Sequence, residues 1–142
     1  MLFRSKAPRG LATRPTSARA RESIFSRLQV RLDFEGARVL DVFAGSGSLG
    51  CEALSRGAGK VTFIDSSRAA VRSIEKNLGA MELTDRGRIL ALDVFRALQS
   101  LATEAAEFEL VFVDAPYRND LDRKSTRLNS SHEIPYRMPS SA

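Results

Sequence analysis

Four short apolar runs recur along the chain and are separated by segments with a helical pattern of apolar positions. The runs are rich in β-branched and aromatic residues and are apolar on both faces, which is typical of strands covered on both sides. Strands that alternate with helices at this spacing predict right-handed βαβ units. The predicted fold class is therefore α/β, with a doubly wound and mostly parallel sheet. The runs occupy residues 37–43, 60–65, 88–93 and 109–114.

Each intervening segment carries apolar residues at intervals of three or four, as an amphipathic helix does. A further helix of this kind precedes the first strand, and Thr16 or Ser17 is its expected N-cap. The apolar positions predicted to be buried are, in chain order, Ile24, Phe25, Leu28 and Leu32; Leu49, Ala53 and Leu54; Val71, Ile74 and Leu78; and Phe95, Leu98 and Leu101.

An aspartate stands at or near the carboxyl end of every predicted strand. In an open α/β sheet the ligand crevice lies outside these strand ends. One such aspartate is commonly the N-cap of the next helix, but four in four strands are harder to explain by capping. We therefore expect a row of carboxylates along one sheet edge, formed by Asp41, Asp65, Asp93 and Asp114.

A glycine-rich loop follows the first predicted strand. Gly45, Gly47 and Gly50 match the spacing G-x-G-x-x-G, which occurs in dinucleotide-binding proteins, so NAD must be considered as a ligand. A pyrophosphate requires a bare helix N-terminus, whereas the ammonium and sulfonium groups of S-adenosylmethionine favour a nearby carboxylate. Because Asp41 stands four residues before the first glycine, it would repel a pyrophosphate. The sequence favours S-adenosylmethionine and leaves NAD as the alternative.

The last predicted strand ends in the sequence Asp114-Ala115-Pro116-Tyr117. Proline fixes φ and ends strand pairing, so a loop should project from the sheet edge at the crevice. Asp114 offers a side-chain acceptor, Ala115 and Pro116 offer carbonyl groups, and Tyr117 offers a flat ring. Together they can hold an amino group in line for attack while the ring stacks on a base. A simple turn with an N-cap is the alternative interpretation.

Charge and composition narrow the function further. Up to Arg31 the chain has eight basic residues and one acid, whereas residues 32–121 have ten basic and fourteen acidic residues. A basic arm on a mildly acidic domain suits a polyanionic partner, although a solvated tail would have the same composition. Cys51 and His132 are the single cysteine and the single histidine, which argues against a metal site and makes Cys51 an expected packing residue. No membrane span or secretory signal is evident, so we expect a cytoplasmic protein.

The last 21 residues, 122–142, lack any periodicity and are dominated by serine, arginine and proline. The eleven residues 122–132, DRKSTRLNSSH, resemble the codon-by-codon translation of a common sequencing-adapter DNA. RMPSSA at the end of the chain is similar to a translation of the far end of that adapter. We therefore interpret residues 122–142 as an artefactual disordered tail and expect the natural chain to be cut near Leu121. Its histidine then carries no information about chemistry.

Three stretches resemble the bacterial 16S ribosomal RNA guanine-N2 methyltransferases of the RsmD family. Residues 14–25, RPTSARARESIF, resemble the R-P-T-x-x-R-x-R-E-x-x-F block of that family. Residues 39–58 are nearly identical to its cofactor motif, and residues 111–117, VFVDAPY, resemble its V-F-V-D-P-P-Y/F. Ala115 stands where the family usually has proline. The resemblance covers residues 9 to 118 and implies a class I, Rossmann-like methyltransferase that is incomplete at its C-terminal end.

The resemblance also implies roles for individual residues. S-adenosylmethionine would be held at its methionine end by Asp41 and the glycine loop, at its ribose by Asp65 and at its adenine amine by Asp93. The target guanine would lie against residues 114–117. The expected cofactor-binding residues are Asp41, Phe43, Ala44, Gly45, Ser46, Gly47, Asp65 and Asp93; the catalytic ones Asp114, Ala115, Pro116 and Tyr117; and the RNA-binding ones Arg9, Arg14, Thr16, Arg19 and Arg21.

The predicted organisation is a basic arm over residues 1–16, a partial methyltransferase domain over 17–121 and the tail. The predicted function is methyl transfer to the exocyclic N2 amine of a guanine in 16S ribosomal RNA, free or in the small-subunit particle, by a monomer. The rival hypotheses are an NAD(P)-binding oxidoreductase and a non-enzymatic RNA-binding fragment that uses only the basic arm.

Overall fold

The computed structural model describes residues 17–115, which form a parallel sheet flanked by helices. Its strands are β1 (Arg38–Val42), β2 (Lys60–Ile64), β3 (Gly87–Leu90) and β4 (Leu110–Val113). The strand order is β3-β2-β1-β4, with every neighbouring pair parallel. The predicted α/β fold with a parallel sheet is confirmed, and β1 lies between two other strands as expected. The arm 1–16 and the tail 122–142, including the adapter resemblance, lie outside the described residues.

The helices of the described chain are α1 (Ala18–Gln29), α2 (Ser48–Ser55), α3 (Arg68–Ala80) and α4 (Val94–Thr103), with a 3-10 turn at Thr84–Arg86. Ser17 is the N-cap of α1, as predicted, and its hydroxyl accepts the Ala20 amide at 3.1 Å. This helix ends at Gln29, so Leu32 packs from the following loop rather than from the helix. The prediction that Ile24 is buried was wrong, since it is 38% exposed while Phe25 is the buried apolar residue of α1. None of the helices formed by residues 17–115 is long and apolar enough to cross a membrane.

Two apolar clusters lie on opposite faces of the sheet. The larger cluster joins α1, α2 and α3 to one face, and Phe25 of α1 lies at its centre with rings of Phe34 and Phe112 each 5.4 Å away. The smaller cluster packs α4 against the other face of β1 and β2. Cys51 is a buried packing residue, as expected, and burial raises the pKa of its thiol to about 12.

The prediction for α4 was wrong at two positions. Its buried residues are Ala97 and Leu101, whereas Phe95 and Leu98 are 62% and 41% exposed. Six of the ten residues of α4 are apolar, so the helix has more than one possible buried stripe, and the packing selects the one that includes the small Ala97. Of the four described helices, α1, α2 and α3 pack on one face of the sheet and α4 packs on the other.

Candidate active site

The chain makes a tight turn directly after β1. Phe43 has a φ of 57°, which is unusual for a residue with a side chain, and the Ala44 amide donates to the Ile64 carbonyl at 2.9 Å. The turn Ala44–Gly47 is closed by the Gly47 amide, which donates to the Ala44 carbonyl at 2.8 Å. Gly45 has a φ of 58°, the conformation that the first central position of a type II′ turn requires. The chain thus changes direction within the four residues Ala44–Gly47 and then enters α2.

The amides of all three glycines in this loop donate to acceptors of the protein itself. Besides the Gly47 amide that closes the turn, the Gly45 amide donates to Oδ2 of Asp65 at 2.9 Å. The Gly50 amide, in the first turn of α2, donates to Oδ2 of Asp41 at 3.0 Å. Acceptors from β1 and from the end of β2 therefore fix the loop from two sides.

The three glycines also differ in what lies next to them. A Cβ on Gly45 would meet nothing within 4 Å, so a ligand can approach the backbone there. A Cβ on Gly50 would lie 2.3 Å from the Phe63 ring and 2.8 Å from Val61. At Gly47 it would lie 3.0 Å from Ile74. Gly47 and Gly50 are therefore required by the packing of α2 and α3 against the sheet, and Gly45 is the glycine that leaves space.

Asp41 is the penultimate residue of β1 and is 1% exposed. Burial raises the pKa of its carboxyl from 3.8 to about 8; the hydrogen bond from the Gly50 amide opposes the shift, and the negative charges of Asp114 and Asp65 add to it. Asp41 therefore lies behind the loop, is largely protonated at neutral pH, and acts on a ligand through the loop that it fixes.

Asp65 and Asp114 lie on either side of Phe43. Val42 pairs with Ile64 on one side and with Val113 on the other, and these two residues are followed directly by Asp65 and Asp114. Since strand spacing is about 4.8 Å, the two carboxylates lie within reach of one small molecule. One oxygen of Asp65 holds the loop and the other accepts the Ser67 amide at 2.9 Å, which orients the carboxylate.

Asp93 directly precedes α4 and lies three residues after the end of β3. It is the N-cap of this helix, and its carboxylate accepts the Phe95 amide at 2.9 Å. The capping interpretation therefore holds for Asp93. All four aspartates nevertheless lie along the carboxyl edge of the sheet, as the sequence predicted.

Asn77 of α3 binds the glycine loop, and this contact was not predicted from the sequence. This α3 residue is 4% exposed, and its amide nitrogen donates to the Ser46 carbonyl at 2.9 Å. The signal in the sequence was a polar residue directly before Leu78, on the apolar face of a helix. Such a residue needs a buried hydrogen-bonding partner, and this reasoning could have identified it.

Four of the site residues predicted for RNA and base contact are in the described chain. Asp114 and Ala115 follow β4 and are exposed, and Arg19 is exposed on the first turn of α1. Arg21 is instead buried at 5% exposure, with its Nε 3.3 Å from Oε1 of Glu52. A buried, paired guanidinium packs α1 against α2, so we revise the expectation of an RNA contact for Arg21. The remaining predicted residues, Arg9, Arg14, Thr16, Pro116 and Tyr117, lie outside the described residues.

Known proteins resemble this chain over most of its length. The family described as "Conserved hypothetical protein 95" matches residues 4–134, a range that includes part of the tail segment 122–142. "Putative rRNA methyltransferase YlbH" of Bacillus subtilis strain 168 is 42% identical over 113 residues, which are 80% of this chain and 60% of that protein. "Ribosomal RNA small subunit methyltransferase D" of Escherichia coli strain K12 is 39% identical over 116 residues, 81% of this chain and 55% of that protein. The chain therefore spans less than two thirds of either relative.

The solved structure of "Putative methyltransferase yhhF from Escherichia coli" matches with a TM-score of 0.65 at 35% identity, over 88% of this chain and 66% of that one. The predicted class I methyltransferase fold is confirmed by this match together with the parallel sheet, and the resemblance found in three stretches of the sequence is confirmed by the family match. The chain belongs to the family described as Conserved hypothetical protein 95.

Proposed function

We propose that this chain forms the cofactor-binding part of an S-adenosylmethionine-dependent methyltransferase that modifies the exocyclic N2 amine of a guanine in 16S ribosomal RNA. The turn 43–47, with Asp41 fixed behind it, would bind the methionine end of the cofactor, Asp65 its ribose hydroxyls and Asp93 its adenine amine. Asp114 would face the guanine from the other side of β1. The proposal extends to this chain what the names of its relatives say of those proteins.

The use of the glycine amides is the observation that carries the proposal. A loop that cradles a pyrophosphate does so with backbone N–H groups and with the first amides of a helix. Here the amides of Gly45, Gly47 and Gly50 donate to Asp65, to a backbone carbonyl and to Asp41. A dinucleotide would have to compete with these acceptors. This observation favours S-adenosylmethionine over NAD as the ligand of the loop.

The charges at the sheet edge support the same choice. Asp41, behind the loop, already accepts an amide of the first turn of α2, so this amide is not available to a phosphate. The neighbouring charges of Asp65 and Asp114 add to the negative potential there. A pyrophosphate would increase this repulsion, whereas the ammonium and sulfonium groups of S-adenosylmethionine would relieve it. The open space above Gly45 gives such a ligand room to approach the backbone.

Catalysis would depend mainly on positioning. The bound cofactor supplies a methyl group activated by its sulfonium. Asp114, across β1 from the loop, would accept a hydrogen bond from the guanine amine, hold its nitrogen in line and stabilise the positive charge that develops on it. The Ala115 and Pro116 carbonyls would assist, and the Tyr117 ring would stack on the base. No separate general base is required, because the methylated amine can lose its proton to solvent.

Ribosomal RNA is the proposed substrate class because of the relatives and the basic arm. Arg19 is exposed at the start of α1, directly after the segment that carries Arg9, Arg14 and Thr16. Phosphate groups of RNA would be attracted to such an arm and steered toward the sheet edge. The guanine N2 specificity is proposed from the sequence resemblance of three stretches together, residues 14–25, 39–58 and 111–117. We further propose that the protein acts as a monomer in the bacterial cytoplasm, where ribosomal subunits are assembled.

Isothermal titration of the chain with S-adenosylmethionine and, separately, with NAD tests the cofactor assignment. We expect binding of S-adenosylmethionine and none of NAD at the same concentrations. Binding of NAD alone would support the oxidoreductase alternative. Binding of RNA with neither cofactor would support a non-enzymatic RNA-binding fragment.

Asp114→Asn tests the base-binding role. Methyl transfer to 16S ribosomal RNA, followed as N2-methylguanosine by mass spectrometry of nuclease digests, should fall about 100-fold or more, the usual loss when an electrostatic group at the reacting atom is removed. The dissociation constant of S-adenosylmethionine should stay within about threefold, because Asp114 is assigned to the guanine and not to the cofactor. Asp85→Asn, in the 3-10 turn before β3, removes an exposed carboxylate at the amino edge and is the matched control. Equal loss of cofactor binding in Asp114→Asn would contradict the assignment.

A further inference from the structure

The buried amide of Asn77 makes a contact that the proposed chemistry does not use. Asn77 lies on the inner face of α3, between the buried Ile74 and Leu78. Its Nδ2 donates to the carbonyl of Ser46, 31 positions earlier in the chain, at 2.9 Å. An apolar residue would fill this position without the cost of burying an amide. The amide therefore has a specific partner, and that partner is the tip of the glycine turn.

Ser46 stands between two residues with little steric restraint of their own. Gly45 and Gly47 have φ angles of 58° and 78° and no side chains, so the peptide groups around Ser46 are held mainly by hydrogen bonds. The peptide that joins Ser46 to Gly47 is fixed at both ends, since its N–H, on Gly47, donates to the Ala44 carbonyl and its C=O, on Ser46, accepts from Asn77. Without Asn77, this peptide would keep the turn-closing bond of the Gly47 amide but would lose the hydrogen bond that fixes its carbonyl end.

Packing from the same helix reinforces this contact. Ile74 lies one turn before Asn77, and its Cγ1 lies 3.0 Å from where a Cβ of Gly47 would be. Residues three apart on a helix share a face, so Ile74 and Asn77 contact the loop together. Ile74 limits how far the turn can move toward α3, and Asn77 determines which way its carbonyl points.

We propose that Asn77 is a positioning residue for the cofactor loop and acts through the Ser46 carbonyl. This inference rests on the proposed function, since the loop is taken to bind S-adenosylmethionine. Asn77 touches neither the methyl group nor the acceptor base. Its contribution is to keep the turn in the binding conformation before the ligand arrives, which lowers the cost of binding.

Titration calorimetry on the full chain tests the inference with S-adenosylmethionine and with S-adenosylhomocysteine. Asn77→Ala removes the donor, and Asn77→Asp replaces it with a carboxylate that repels the Ser46 carbonyl. We expect the dissociation constants of both ligands to rise about tenfold in Asn77→Ala, which is the scale of one lost hydrogen bond, and further in Asn77→Asp at pH 8. In Asn77→Asp, the ratio to the wild-type value should fall again at pH 5.5, because a protonated carboxyl can donate to Ser46.

Leu78→Val is the matched control, since it loosens the same helix next to Asn77 without touching the loop. Its melting temperature should fall as in Asn77→Ala, while its cofactor affinity stays at the wild-type value. Unchanged affinity in both Asn77 variants would overturn the inference, and so would an equal loss of affinity in Leu78→Val. A wild-type chain that does not bind S-adenosylmethionine would contradict the proposed function instead, so the two failures are distinguishable.

Discussion

Asp41→Asn should make the folded protein more stable than the wild type, by a margin that grows as the pH rises, although it removes a residue of the candidate site. Asparagine has the same shape as aspartate, and its carbonyl oxygen can still accept the Gly50 amide that Asp41 accepts at 3.0 Å. It removes the ionisable group from a position that is 1% exposed. The substitution therefore isolates the cost of keeping a carboxyl group behind the glycine loop.

The pKa of Asp41 sets the direction and size of the effect. Burial raises it from 3.8 to about 8 in the folded chain. Between these values the folded state retains a proton that the unfolded state has lost, so the free energy of unfolding decreases as the pH rises through this window. Each pH unit costs about 1.4 kcal/mol. From pH 5 to pH 7, Asp41 should therefore cost the wild-type chain about 2.5 kcal/mol that the asparagine variant does not lose.

Urea unfolding at pH 5, 6, 7 and 8 and constant ionic strength measures this difference directly. The two chains should have stabilities that diverge steadily from pH 5 to pH 7. Asp85→Asn, at the amino edge, controls for the loss of one negative charge and should follow the wild-type curve. Parallel curves for wild type and Asp41→Asn would refute the raised pKa. They would also show that burial and the charges of Asp65 and Asp114 do not disfavour the ionised carboxyl of Asp41.

Two further predictions concern the packing that supports the loop. Gly50→Ala should destabilise the chain by about 1–3 kcal/mol, because the new Cβ would lie 2.3 Å from the Phe63 ring. Gly79→Ala, on the same kind of element but with nothing within 4 Å, should instead stabilise α3 by about 0.5–1 kcal/mol in urea unfolding. Arg21→Ala should cost about 1–3 kcal/mol, because the buried Glu52 loses one of its two arginine partners and keeps Arg56. Arg38→Ala removes an exposed ion pair and should cost clearly less. Equal losses for the two arginine variants would show that burial of Arg21 has no energetic role.

The sequence was sufficient for the sheet because strand and helix patterns depend on neighbouring residues. The four apolar runs became β1 to β4, and the aspartates after them lie along one edge because parallel strands end at the same edge. Exposure was less predictable. Val111 and Val113 of β4 pair with Leu40 and Val42, but they are 48% and 66% exposed, since α4 covers β1 and β2 and not β4 within the described residues. Apolar character states what a residue prefers, and its burial depends on which element reaches it.

Roles that depend on contacts between distant positions were also missed. Arg21 belongs to the basic stretch that the sequence assigned to RNA. Its burial follows from Glu52, 31 positions away on α2, whose carboxylate also accepts a hydrogen bond from Arg56 at 3.0 Å. Asn77 was missed for the same reason, since its partner Ser46 is equally far away in the sequence. Residue spacing along one element cannot reveal such pairs.

The glycine loop explains why one spacing of glycines fits two classes of ligand. The string G-x-G-x-x-G fixes a sharp turn and a close approach of α2 to the sheet, and here Gly50 meets that second need against Phe63. It does not determine where the loop amides point. That is decided by acceptors elsewhere, and the carboxyl of Asp41 takes the Gly50 amide because the first turn of α2 lies over the end of β1. An apolar residue in place of Asp41 would leave this amide for a phosphate. The residue four positions before the first glycine therefore carries more information about the ligand than the glycines themselves.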